Sequence, residues 1–121
     1  MSSNSNRNTF GKNTKLCSRT EITELFTKGS VFFVFPFRIL RLETTHSENL
    51  YVISAPKRNF KKAVDRNRIK RLTKEIIRLY IAPQLDKQKT YNYAFQYVGK
   101  RIPTFEELEK VSYEIQTRLT H

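Results

Sequence analysis

Two periods run through the apolar positions of this chain. Ile22, Leu25 and Phe26 fall at i, i+3 and i+4, the stripe of an amphipathic helix. Ser18-Arg19-Thr20-Glu21 in front of them fits a capping box, in which hydroxyl and carboxylate satisfy backbone N–H groups reciprocally, so the helix is predicted to begin at Ser18. Gly29 is placed to end it, since glycine takes φ > 0 without a Cβ penalty. From Val31 to Leu42 the pattern changes to β-branched and aromatic residues, which predicts strand. Pro36 cannot donate a ladder hydrogen bond, so an edge, a bulge or a break into two short strands is expected there. Glu43 to Asn49 is a polar loop, and Leu50 to Ala55 is a second strand expected to hairpin back before Pro56 stops it.

A long helix is predicted from Lys62 to Ile81, ended by Pro83. On a wheel of about 100° per residue, Ile69, Leu72, Ile76, Leu79 and Tyr80 share a sector of roughly 100°. Asn67, Lys70, Arg71, Lys74 and Arg78 fall on the opposite side. One face is therefore expected to pack on the sheet while the other presents cations. Tyr91 to Val98 is a third clear strand, with aromatics at every second position. Thr104 to Glu107 forms another capping box, and Leu108, Val111, Ile115 and Leu119 give the last helix its stripe. The order helix, strands, helix, strand, helix predicts an α+β two-layer sandwich on a sheet of three or four strands. Residues 1–9 read as a disordered Ser- and Asn-rich lead-in, and 10–121 as one small domain. Phe10, an aromatic in a polar tail, is either an anchor on the domain surface or a residue near a binding cleft.

Charge changes this picture most. Lys57 to Lys74 holds nine cations (Lys57, Arg58, Lys61, Lys62, Arg66, Arg68, Lys70, Arg71 and Lys74) against one anion, Asp65. That local charge of +8, out of +12 for the chain, calls for a polyanionic partner, and nucleic acid fits best. A solvated helix face normally mixes both signs; this one does not. Arginine offers a planar fork of donors that matches phosphate oxygens, and Asn67 carries both donor and acceptor for a sugar or base edge. The longest apolar run, Val31 to Phe37, is seven residues, whereas a membrane-spanning helix needs about 20, and no signal-peptide core is present. A soluble, cytoplasmic protein is expected, with neither membrane nor small-molecule substrate. The single cysteine, Cys17, is expected as a reduced thiol, and no Cys/His cluster has zinc-ligand spacing. No residue qualifies as catalytic: Asp65 and Glu75 are ten apart, nearly three turns, Glu106, Glu107 and Glu109 fit capping and helix-dipole roles, and His46 has no evident partner.

The block Lys62 to Glu75, KAVDRNRIKRLTKE, closely resembles the Arg-Asn-Arg signature of the bacterial ribonuclease P protein subunit family. Ser54-Ala55-Pro56-Lys57-Arg58 is similar to the family's strand end, and Leu25-Phe26-Thr27-Lys28-Gly29 to its first helix end. With Phe10 and Leu16, the likeness runs from Phe10 to Leu119. It implies that the basic helix makes a left-handed β-α-β crossover, an exception to the usual handedness. It also implies two partners, ribonuclease P RNA, which is the catalyst, and precursor tRNA, whose 5′ leader is removed, with Mg2+ bound mainly by the RNA. The resemblance carries Arg66, Asn67, Arg68, Lys70 and Arg71 over to RNA contact, with lysine at 74 where the family often has arginine, and the charge of the stretch adds Lys57, Arg58, Lys61 and Lys62 to the RNA-contact candidates.

A second surface, a cleft between the first helix and the sheet, is implied to hold the single-stranded leader by stacking bases on aromatic rings. Phe26 matches it directly, while Ile22 and Leu40 stand where the family often has an aromatic ring. Phe10, Ile22, Phe26, Phe37 and Leu40 are the candidates; Phe33, Phe35 and Phe37 either supply further rings or fill the core. A structural RNA-binding protein of ribosomal type would explain the charge equally well, but not the 14-residue block.

Overall fold

The computed structural model describes residues 15–85 and 88–120. Helix α1 (Arg19–Lys28) is followed by strands β1 (Ser30–Val34), β2 (Phe37–Thr44) and β3 (Leu50–Ser54), helix α2 (Ala63–Ile76), strand β4 (Thr90–Tyr97) and helix α3 (Phe105–Leu119). This is the α+β architecture expected, with four strands. The lead-in 1–9 and Phe10 lie outside the described residues.

Strand alternation sorts the sheet's two faces. Phe37 and Ile39 of β2, Tyr51 of β3, and Tyr93, Phe95 and Tyr97 of β4 point to one side. There they meet Ile69 and Ile76 of α2 and Leu108, Ile115 and Leu119 of α3. Sheet and paired helices make the two-layer body. Burial pushes the Tyr93 hydroxyl up to about 12, so the ring stays neutral in the core. The alternate residues Leu40 and Ala94 face the other way, beneath Leu25 of α1 and Leu16.

The strand order is β1-β2-β4-β3, which corrects the expected hairpin between β2 and Leu50–Ala55. The strand that returns along β2 is β4, and β3 lies parallel to β4 on its far side. A central strand is covered on both faces. Strand β4 meets that demand with its aromatic row on one face and Asn92 and Ala94, small enough to sit under α1, on the other. The outer edge of β3 is itself met by Lys15–Leu16, where the Leu16 N–H donates to the Tyr51 carbonyl at 2.8 Å. Pro36 breaks the first strand as expected: Phe35-Pro36, a cis peptide, turns β1 into β2.

Gly29 does end α1, but for another reason than expected. Its φ is −70°, a value open to any residue. What glycine supplies is space: a Cβ there would sit 2.4 Å from the Leu25 carbonyl oxygen and 3.1 Å from that of Arg41. Gly29→Ala is therefore expected to destabilise the fold by about 1–3 kcal/mol, as overpacking does, read as a lower urea midpoint with an unchanged slope. The Ser18 cap is half of what the sequence suggests. Its hydroxyl accepts from the Glu21 N–H at 3.3 Å, but the Glu21 carboxylate turns away, to His46 Nε2 at 2.6 Å and Asn92 Nδ2 at 3.0 Å. The Thr104–Glu107 box on α3 forms in full.

Candidate nucleic-acid interface

The basic helix owes its orientation to what it buries. Ile69 and Ile76 of α2 are fully enclosed, each worth roughly 1.5–3 kcal/mol in transfer free energy, and Leu72 packs partly against the same core. Thr73 is buried beside them because its hydroxyl donates back to the Ile69 carbonyl at 2.8 Å, which removes the cost of an unmet polar group. With that face fixed, Asn67, Arg68, Arg71 and Lys74 stand exposed along the opposite side, and Val64 is exposed with them. Lys57, Arg58, Lys61 and Lys62 are exposed in the segment leading into the helix. Lys70 is half-buried at the flank.

Arg66 is the exception. Its Nη1 donates to the carbonyls of Phe60 at 2.7 Å and Lys61 at 3.0 Å, tying the approach segment to the first turn of α2. It holds its neighbours in place as well as adding charge. Among the described residues none of the ten predicted RNA-contact side chains pairs with a carboxylate; the nearby Glu75 is committed to Arg78 at 2.7 Å. Lys62 caps α2 without a side-chain hydrogen bond, so cations cluster at the positive end of the helix dipole. Self-repulsion of this kind is relieved by an anion arriving from outside.

Past Ile76 the helix departs from the wheel. Ile77–Ile81 form a π turn, and Ala82–Gln84, with Pro83, a closing 3-10 turn. An i→i+5 turn advances by about 80° per residue instead of about 100°, which rotates Ile81 into the core and Leu79 out of it. Ile77 and Ile81 are buried, and Leu79, predicted to pack on the sheet, is exposed.

The α1 side of the sheet differs from expectation in which rings it offers. Phe26 is 40% exposed on α1, beside the buried Leu25, and Ile22 is half-buried. Leu40 is fully buried beneath α1, so it forms floor and presents no surface. Phe37 is 1% exposed and belongs to the core on the opposite face, which removes it from any cleft against α1. The period-two alternation of β1 and β2 divides the phenylalanines: Phe33 and Phe35 are exposed at 54% and 66%, their ring centroids 6.4 Å apart. Beside Phe33 in the same row of the sheet stand Arg38, Gln96 and Ser54, with Arg38 donating to the Gln96 amide oxygen. These polar neighbours carry no sequence motif, and only strand pairing brings them together.

A model of the family described as Ribonuclease P matches residues 10–113. The chain belongs to the ribonuclease P protein family. The ribonuclease P protein component of Porphyromonas gingivalis is 35% identical to it over 111 residues, 84% of this chain and 81% of that protein. In structure the chain is similar to the RNase P protein from Thermotoga maritima, with a TM-score of 0.74 at 18% identity over 88% of this chain and 98% of that one. It is likewise similar to the Staphylococcus aureus RNase P protein, with a TM-score of 0.70 at 16% identity over 89% and 98%. The basic block that carried the resemblance thus sits, in this family member, on the exposed face of the β3-α2-β4 crossover.

Proposed function

We propose that this chain is the protein subunit of ribonuclease P and acts in maturing the 5′ end of tRNA. In this reading α2 docks on the catalytic RNA through Asn67, Arg68, Lys70, Arg71 and Lys74, with Arg66 bracing the approach segment that carries Lys57, Arg58, Lys61 and Lys62. The face bearing α1 receives the single-stranded 5′ leader of precursor tRNA, with Phe26 as a stacking ring and Ile22 beside it. The RNA carries the catalysis. The observation that supports this most is the row of exposed cations on α2, none of them neutralised by a carboxylate among the described residues, in a chain of this family.

Among the described residues no three His, Cys, Asp or Glu side chains gather as a metal site. In this reading Mg2+ sits on oxygen ligands of the RNA, and the protein's part is electrostatic and positional. Cations that replace condensed counterions let two polyanions, catalytic RNA and substrate, approach each other with less salt. A cytoplasmic location follows from those partners; among the described residues no helix is long and apolar enough to cross a membrane.

The chain is expected to stimulate cleavage of precursor tRNA by a bacterial ribonuclease P RNA at low Mg2+, where the RNA alone is slow. No stimulation at any ionic strength sinks the reading. Crosslinks to ribosomal RNA and none to ribonuclease P RNA would turn it toward a structural RNA-binding role.

A further inference from the structure

We propose a second RNA contact at the end of the sheet, a groove that takes one unpaired nucleotide. Its lining comes from the β1–β2 turn, the end of β4 and the segment after it, and α3, with no residue of α1 or α2. Three connections leave the sheet at this end, and the strand register fixes that. Ser54 pairs with Gln96 in the parallel β3–β4 ladder, so the segments after both strands emerge side by side. Phe37 pairs with Tyr97, which brings the β1–β2 turn to the same place, and the Val98 N–H donates to the Pro36 carbonyl at 2.7 Å. Between the β1–β2 turn and the segment after β4, against α3, is a groove of about 500 Å³ whose lining includes Phe35, Pro36, Tyr97, Pro103, Val111 and Lys100.

The groove is braced. The Tyr97 hydroxyl donates to the Arg101 carbonyl at 2.7 Å. Gly99 lets the chain cross the Tyr97 ring, for a Cβ there would lie 2.6 Å from that hydroxyl oxygen. Arg101 forms a two-point pair with Glu107, which also accepts from the Thr104 N–H at 2.9 Å. The Arg101 guanidinium, then the Thr104 amide, hold the Glu107 carboxyl down to about 2. Arg101 and Glu107 therefore cancel, and Lys100 is left as an exposed cation with no carboxylate partner among the described residues.

An apolar, partly aromatic slot beside one uncommitted cation matches a nucleotide, base in the slot and phosphate on the lysine. Phe35, 66% exposed at the lip, is a large ring with no packing reason to face solvent. Charge makes RNA the occupant: the chain carries +12, and Lys100 is the cation of the groove's lining that no carboxylate holds among the described residues.

This inference rests on the reading that the chain binds ribonuclease P RNA, and the test separates the two. Wild type, Phe35→Ala and Lys100→Ala are titrated with a bacterial ribonuclease P RNA across a salt series. Phe35→Ala is expected to weaken binding by about 5- to 150-fold with an unchanged salt slope, since stacking releases no counterions. Lys100→Ala is expected to lower the slope by about 0.7–0.9. A photo-crosslinking residue at position 35 is expected to join to the RNA. If wild type binds and both variants bind identically, with no crosslink from position 35, the groove is refuted while the α2 reading stands. Crosslinks to protein instead would assign the groove to a protein partner and overturn the proposal. If wild type itself fails to bind, both fall.

Discussion

Replacing Arg68, Arg71 and Lys74 together with alanine is expected to weaken binding of ribonuclease P RNA by about 10²-fold near physiological salt and to lower the slope of log K against log salt by about 2 to 3. All three side chains are exposed on one face of α2, and none pairs with a carboxylate among the described residues. Each is therefore available to displace one condensed counterion. Removing them leaves the buried side of the helix, Ile69, Thr73 and Ile76, untouched, so thermal stability is expected to hold. The control is Lys28, Lys110 and Arg118, three exposed cations elsewhere on the molecule. Their triple alanine variant removes the same net charge. If both triple variants lose affinity equally, RNA is attracted by net charge alone and α2 is not the docking face. Arg66 is left out of the variant because its ties to Phe60 and Lys61 would mix lost folding with lost binding.

The α2 face was legible in the sequence because a helix writes its two sides at a fixed local spacing. Ile69, Leu72 and Ile76 announce the buried side within eight residues, and nothing distant alters that. Past Ile76 a π turn changes the angle per residue and so exchanges Leu79 for Ile81. Nothing in the composition of IRLYI signals such a turn; it lets Ile77 and Ile81 both enter the core that α2 shares with α3. Strand partners were less legible still. Whether β2 pairs with β3 or β4 depends on which strand suits the centre, a comparison between segments some 40 residues apart in the chain. The same limit governed the phenylalanines. Alternation shows that Phe33 and Phe37 lie on opposite faces only once the turn between them is known. Glu21 illustrates a local rule overridden: the capping position was read, yet His46 and Asn92 offer the carboxylate stronger partners than the Ser18 amide. Together they lower the Glu21 carboxyl below its ordinary range, the Asn92 amide first and His46 next. That network ties the first turn of α1 to the β2–β3 loop and to β4, which steadies the helix that carries Phe26.

Phe26→Ala is expected to weaken binding of precursor tRNA to the assembled ribonucleoprotein by about 5- to 150-fold while leaving mature tRNA nearly unaffected, because one base–ring stack contributes about 1–3 kcal/mol. The position suits the measurement. Phe26 is 40% exposed on α1, and its neighbour Leu25, fully buried, carries the packing that holds the helix on Leu40 and Ala94. Truncating the exposed ring therefore takes little from the fold, and a loss in affinity reports the contact. The comparison between precursor and mature tRNA isolates the leader, the only part that differs between the two ligands. Equal losses for both would remove Phe26 from the leader site and place its ring against the body of the tRNA or the catalytic RNA. A loss smaller than about threefold would mean that one ring is not the main support of the leader on this side. The exposed Phe33, in a row with Arg38 and Gln96, is then the next stacking surface on the same face of the sheet. Phe33→Ala in the Phe26→Ala background separates the cases. Additive losses mean two independent stacking positions along the strand, and a loss equal to that of Phe26→Ala alone means that the leader never reaches β1.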